Sequence, residues 1–283
     1  MFDFSPYLSK ALDAEALAWI ETAKAQLDEK GQGHLAVLFA QLARRTGKQP
    51  LLETGPGQFV DHDAAQVDLG MWRTCDAVGY VLVQHAGADD DTLVDLYLHG
   101  DFEERIAALR ALALLPVTRA TVELFGEVQR TNTVAHFEAG ALDHNLAVRA
   151  MAEGGEDAGF TRDDFHRLIL KAAFLDLPLG RMQGAFDEVD APLAVMLQDF
   201  ATEREAAGRP VWVDTWRVLG RAPCEGAQAR ILGGLEHGSD PVRLAAAEAL
   251  RDLNAPELST YAASRLPREP VQAVKDILAS IVG

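Results

Sequence analysis

The chain has 283 residues, 48% of them apolar and 24% charged, a composition typical of folded, soluble domains. With 43 acidic against 26 basic residues the net charge is −17, and no basic run offers the clustered cations that neutralise phosphates, which excludes nucleic acid and bare anionic membrane as partners. No apolar run approaches the ~18 residues a membrane span needs, and Cys75 and Cys224 make no disulfide framework.

The start, "MFDFSPYLSKALDAEALAW", carries Asp3 and lacks both a basic opening and a continuous apolar segment, so no signal peptide is expected and the cytoplasm is the expected compartment. Leu12, Ala16, Trp19, Ile20, Ala23 and Leu27 follow helical spacing until Gly31 and Gly33 break it. A second helix from His34 to Arg45 stops at "TGKQP", and "LLETGPGQFVDHDAA" reads as a polar loop. Helical spacing then recurs over 63–86, 91–98, 102–115, 117–148, 161–176, 189–207, 211–219, 226–236, 241–253, 256–265 and 269–281. "GYVLVQ" is the one run short enough for a strand, and its place after "WRTCDAV" favours a buried helix. Thr161, Asp190, Asp240 and Asn254 are the expected helix caps. The class is all-α.

The chain also repeats itself. "HGDFEERIAALRAL" begins at His99 and "HGSDPVRLAAAEAL" at His237, and the Arg105/Arg243, Ala107/Ala245, Ala108/Ala246, Ala111/Ala249 and Leu112/Leu250 pairs match without a gap. A turn, an Arg and then small residues at tight spacing suit closely packed helical pairs, so an α-solenoid-like stack of HEAT-like repeats is expected. Ala-rich amphipathic helices also resemble one another by chance.

The segment "EVQRTNTVAHFEAGALDHNL", residues 127–146, sets Asn132, His136 and Asp143 on or beside the apolar stripe Phe125, Val128, Ala135, Ala139, Leu142 and Leu146 of an expected continuous helix. Each of these groups, left unsatisfied there, costs about 1–3 kcal/mol. They therefore either close a structural hydrogen-bond network or line a cavity. Further on, Pro178 ends a helix whose polar side carries Lys171, and Gly180 and Gly184 bracket Arg181 and Gln183 in an irregular connection. Arg181 presents a fork of donors for a carboxylate or phosphate, or forms a salt bridge with Asp187 or Glu188. Lys171 reads equally as an exposed helical lysine. A His62–Asp63 dyad, with His34 before it and Asp89, Asp90, Asp91 and Asp95 after it, matches in order the ligands of all-α metal-dependent phosphohydrolases, although it sits in an expected loop. Glycine-rich phosphate loops, G-x-S-x-G, H-E-x-x-H and paired C-x-x-C motifs are missing.

From "QRTNTVAHFEA" (Gln129–Ala139) through "LILKAAFLDLPLGRMQG", "APLAVMLQDFATEREAAGRPV" and "WRVLG", the sequence resembles the EboA domain family over most of residues 129–220. It departs from the family pattern at "GALDHNLAVRAMAEGG" and after Gly184, where Asp187 remains without the expected Arg. The resemblance implies a helical protein without an assigned reaction. Members accompany a gene cluster, including a prenyltransferase-like membrane protein, that moves or finishes a secondary metabolite. The expected organisation is an EboA-like helical domain over 1–220, with C-terminal HEAT-like helices over 221–283 continuing it as one unit. The expected function is non-catalytic binding of a small metabolite, anionic if cationic side chains converge on it, or of a partner enzyme of the same cluster. Arg130, Asn132, His136, Lys171, Arg181 and Gln183 are the expected ligand-binding residues, Arg130 through the resemblance alone. No catalytic residue, metal or cofactor is assigned. A pure protein–protein scaffold and a metal-dependent phosphohydrolase using His62 and Asp63 are the alternatives.

Overall fold

The computed structural model describes residues 1–154 and 159–282. Gly155, which closes "AMAEGG", and Gly283, the last residue of the expected C-terminal segment, lie outside the described residues. The described chain is all-α apart from one two-stranded hairpin. It divides into two compact units, Met1–Leu168 with Arg181–Gly184, and Ile169–Gly180 with the chain from Ala185 onward.

The first unit opens with α1 (Ser5–Ala11) and α2 (Ala14–Lys30). The Asp13 carboxylate accepts from the Ala16 amide to start α2, which buries Ala16, Ile20, Ala23 and Leu27 and ends at Gly31. Helix α3 (Leu35–Thr46) follows. The expected helix from residue 63 begins only at Thr74. Phe59–His62 instead pairs antiparallel with Ala65–Asp68, turning through Asp63 at φ +50°. Asp68 fixes this loop by accepting from the amides of Gly57 (2.6 Å), Gln58 (2.8 Å) and Gly70 (3.0 Å). Gly70 is required there, since a Cβ would stand 1.8 Å from the Gly55 carbonyl oxygen.

"GYVLVQ" lies within α4 (Thr74–Ala86), with Tyr80, Leu82 and Val83 buried, as its context indicated. Helices α5 (Asp90–His99) and α6 (Phe102–Leu112) start on carboxylate caps, Asp89 and Asp101. The expected helix over 117–148 is three pieces: α7 (Arg119–Arg130), α8 (Val134–Ala141) and the single turn α9 (Leu146–Arg149). At the first break Thr131 turns extended and its Oγ1 accepts from the Thr133 amide at 3.1 Å, a local bond that competes with helix. At the second, Asp143 takes φ +66°, and its carbonyl accepts from the Asp68 amide at 2.8 Å. The chain leaves the helix there to extend the hairpin, through bridges Val67–His144 and His144–Met182. Helix α6 packs on α4, α5 and α8, and α7 on α5 and α8.

Helix α10 (Arg162–Phe174) carries the chain into the second unit. Thr161 caps it, its Oγ1 accepting from the Asp164 amide (3.2 Å) while Asp164 accepts from the Thr161 amide (2.9 Å). Asp190 caps α11 (Ala191–Ala206) as expected. Then come α12 (Asp214–Arg221), α13 (Ala227–Leu235), α14 (Asp240–Leu253), α15 (Ser259–Arg265) and α16 (Gln272–Val282). Helix α14 packs against α12, α13 and α16. Gly220 admits it closely, because a Cβ there would meet the Ala249 Cα at 2.5 Å. Two cap expectations fail. Asp240 is the first helical residue and spends its carboxylate on Arg243 (2.6 Å). Asn254 terminates α14 in left-handed geometry at φ 47°, a role that suits Asn at a helix C-terminus.

Candidate functional site

The polar residues of the first unit meet at the corner where α8 ends. Asp143, pulled out of the helix, accepts both arms of the Arg181 fork, Nε at 2.9 Å and Nη2 at 2.8 Å. The third Arg181 nitrogen donates to Glu138. Backbone bonds hold the two segments in register: the Asp143 amide donates to the Arg181 carbonyl (2.6 Å) and the Gln183 amide to the His144 carbonyl (3.1 Å). Hydrogen bonds donated to Asp143, and then to Glu138, push the Arg181 guanidinium above its ordinary pKa despite its burial. Asp187, one of the partners expected for Arg181, lies 3.5 Å from Arg221 instead.

His144 is wholly buried between these strands. Its Nδ1 accepts from the Leu146 amide at 3.3 Å, and its Nε2 lies 3.4 Å from the Ala139 carbonyl oxygen, an arrangement that suits the neutral ring with the proton on Nε2. Burial, followed by the Arg110 charge, lowers its pKa to about 4.

Arg110 is the residue that sequence reasoning missed. It sits on α6, 5% exposed, with Nη2 3.6 Å from an Asp143 oxygen, beyond hydrogen-bond range. Its Nε and Nη1 are buried and meet no acceptor among the described residues. Burial lowers its pKa, against the pull of Asp76 and Asp143. Asp76 is already engaged by Arg73, at 3.0 Å from Nε and 2.7 Å from Nη2, and Arg73 reaches Glu103, which Lys48 meets at 2.7 Å. Alternating charges thus run from Lys48 at the surface inward to Arg110, and out again through Asp143 and Arg181 to Glu138. Arg110 was hidden because an isolated Arg in a helical pattern reads as its polar face. Its flanks, "IAAL" and "ALALL", were the signal that this helix has no polar face at that level.

The six expected binding residues fall in three places. Arg181 and Gln183 stand at this corner. Arg130, Asn132 and His136 lie around the α7–α8 break, but not on one stripe: Asn132 is exposed in the extended connection, and Arg130, 69% exposed, folds back onto Glu127. His136 is buried, its Nε2 3.1 Å from the Phe102 carbonyl oxygen and its ring 4.9 Å from that of Phe102. Burial lowers its pKa, and Arg105 adds to the effect. Lys171 belongs to the second unit, with Nζ 5.3 Å from the Phe174 ring centre.

The phosphohydrolase dyad lies on the hairpin rather than in a helix. His62 and Asp63 are 3.5 Å apart and Asp63 is 88% exposed. His34 lies 3.1 Å from Gln26, and Asp89 caps α5. Among the described residues no group of three or more His, Cys, Asp or Glu is arranged to hold a metal ion. No described helix is long and apolar enough to cross a membrane.

No curated protein and no solved structure matches the chain. A family model described as metabolite traffic protein EboA matches residues 3–220, through all the elements of this corner and into α12. The chain therefore belongs to the EboA family.

Proposed function

We propose that the protein is a non-catalytic carrier in the traffic or processing of a secondary metabolite, binding a small ligand at the Arg110–Arg181 corner of its first unit. The observation that carries this reading is Arg110. A charged group buried without hydrogen-bond acceptors costs several kcal/mol, and a bound acceptor recovers that cost. A ligand carboxylate or phosphate oxygen suits the two open nitrogens, with Arg181 and Gln183 on the turn alongside. Family membership supports the metabolite role. On the same reading the protein is cytoplasmic, and the helices after residue 220 continue a HEAT-like series begun by α12.

A scaffold for enzymes of the same cluster is the second reading. It is favoured by the exposure of Leu98 (41%), Phe102 (50%) and Val134 (42%) on the elements around His136, where Arg130 and Asn132 also lie. Native mass spectrometry of the chain purified from its own host separates the two. A carrier gives an extra mass that disappears on denaturation and is absent from Arg110→Met, a variant that leaves the Asp143–Arg181 pair intact. A chain that arrives bare, or with another protein attached and no small molecule, overturns the carrier in favour of the scaffold.

A further inference from the structure

A cavity of about 630 Å³ lies in the first unit between α1 and the segment 49–54, and it shares no lining residue with the Arg110 corner. Its volume is that of an ordinary small-molecule site. Both walls are fixed. On α1 the Tyr7 ring stacks on Phe2 at 6.0 Å and meets Phe4 at 6.1 Å, and Phe4 in turn stacks on Trp72 at 5.4 Å. On the other wall the Leu51 amide donates to the Trp72 carbonyl (2.8 Å), and the Gln49 carbonyl accepts from the Thr74 amide (3.0 Å). The Gln49 side chain donates to the Ala11 carbonyl at 3.4 Å and ties the two walls together. A ligand entering between fixed walls has little reorganisation to offset.

The polar groups of this cavity are accessible and uncommitted. Lys10 on α1 and Glu53 on the facing segment are exposed, and Tyr7 is half-buried. Among the described residues none pairs with the Lys10 ammonium, the Glu53 carboxylate or the Tyr7 and Thr54 hydroxyls. An exposed charge is well solvated by itself, so neither ion marks a site alone. Lys10 and Glu53 are, however, the only charged side chains among the described residues that line the cavity, one from each wall, and their signs are opposite. The rest of the surface is largely apolar, formed by Tyr7, Ala11, Pro50, Leu51 and Leu52. A simple anion is drawn to Lys10 and repelled by Glu53, and a simple cation meets the reverse. A molecule that carries both charges satisfies both walls.

We infer that this cavity binds a small zwitterion, an α-amino acid or short peptide with an apolar side chain. Its carboxylate is held by Lys10 and its ammonium by Glu53, with the side chain against the apolar surface that Tyr7 and Leu52 provide. The site is independent of Arg110, and neither reading rests on the other.

Calorimetric titration of the full chain with L-phenylalanine tests the site, against 3-phenylpropionate, which lacks the ammonium, and 2-phenylethylamine, which lacks the carboxylate. Phenylalanine should bind saturably and about fivefold more tightly than either analogue, the effect of one exposed ion pair. Ala11→Trp or Pro50→Trp, one from each wall, should abolish binding in a variant that keeps its helical circular dichroism. Lys10→Glu should weaken phenylalanine and 3-phenylpropionate and leave 2-phenylethylamine bound at least as well. Glu53→Lys should do the reverse. Failure of phenylalanine to saturate, or unchanged binding in the folded Trp variants, overturns the site. Analogues that bind as tightly as phenylalanine, or charge reversals that shift all three ligands alike, overturn the zwitterion as the ligand class.

Discussion

In α6 the Arg105 guanidinium donates to the Gly100 carbonyl at 2.9 Å, and in α14 the matching Arg243 donates to the Gly238 carbonyl at 3.2 Å. One side chain ties the preceding turn in each copy of the repeat, so the sequence match between His99–Leu112 and His237–Leu250 carries the same local bond. The copies part company in what surrounds that bond. Arg105 lies half-buried, 5.4 Å from the Tyr97 ring centre. Arg243 is buried and shares the fully buried Glu269 carboxylate with Arg265, which meets it at 2.7 Å. A second matched position is more telling. Arg110 in the first copy corresponds to Glu248 in the second, and Glu248 meets Arg217 at 2.5 Å, which in turn meets Asp214 at 2.5 Å. The second copy supplies partners for its inserted charge. The first leaves Arg110 with open donors, and that contrast supports the proposed ligand site.

Three perturbations bear on this comparison, and the largest falls on the second copy. Glu269→Ala removes the buried carboxylate that two guanidinium groups share, leaving Arg243 only the exposed Asp240 and Arg265 only Glu236 at 3.6 Å, and should cost about 3–5 kcal/mol in chemical denaturation. A cost below about 1 kcal/mol would mean that the triad is no more committed than the Arg105 turn.

Next in size is the response to acid, which should separate the units. The His144 pKa is depressed from the ordinary 6.5 to about 4, so the unfolded chain takes the proton first. Stability is complete above pH 6.5 and is lost as pH falls towards 4, by about 3 kcal/mol in all. Burial opposes the Glu269 charge, but the Val271 amide and Arg243 outweigh it and hold that carboxyl below its ordinary 4.5. Its contribution is therefore present above pH 4.5 and is lost only as pH falls further, through its depressed value. Melting temperature followed against pH should show the first loss in full in the wild type and reduced in His144→Gln, which keeps only the share of buried His136. A wild type that is flat between pH 6.5 and 4.5 would show that His144 opens to water before it titrates.

The smallest effect is expected at Arg105→Ala, about 1 kcal/mol for carbonyl bonds made partly in water. A cost matching that of Glu269→Ala would erase the distinction between the two copies.

Two of the four caps, Thr161 and Asp190, and the buried face of α2 were legible in the sequence. Asp190 caps α11, and α2 buries the stripe its pattern indicated. The hairpin was not, because its second strand pairs with Asp143–Asn145, and that segment in turn with the 181–183 turn, which no local window contains. For the same reason the apolar period through 117–148 concealed two breaks. Asn132 therefore lies exposed, off the buried stripe where helical spacing had put it, whereas Asp143 reached the buried corner by leaving the helix. Of the polar site, Arg181 could be named but not its acceptors, since Asp143 and Glu138 join it only through long-range pairing.

The turn Arg181–Gly184 belongs to the first unit although the residues on both sides of it belong to the second. A ribosome delivers Asp143 38 residues ahead of the guanidinium that grips it. Until then the corner at the end of α8 has neither its side-chain clamp nor the strand bonds that run with it. The first unit therefore closes late in synthesis, with the second already begun, and its two pieces belong to a single gene segment that no boundary drawn at residue 168 can divide.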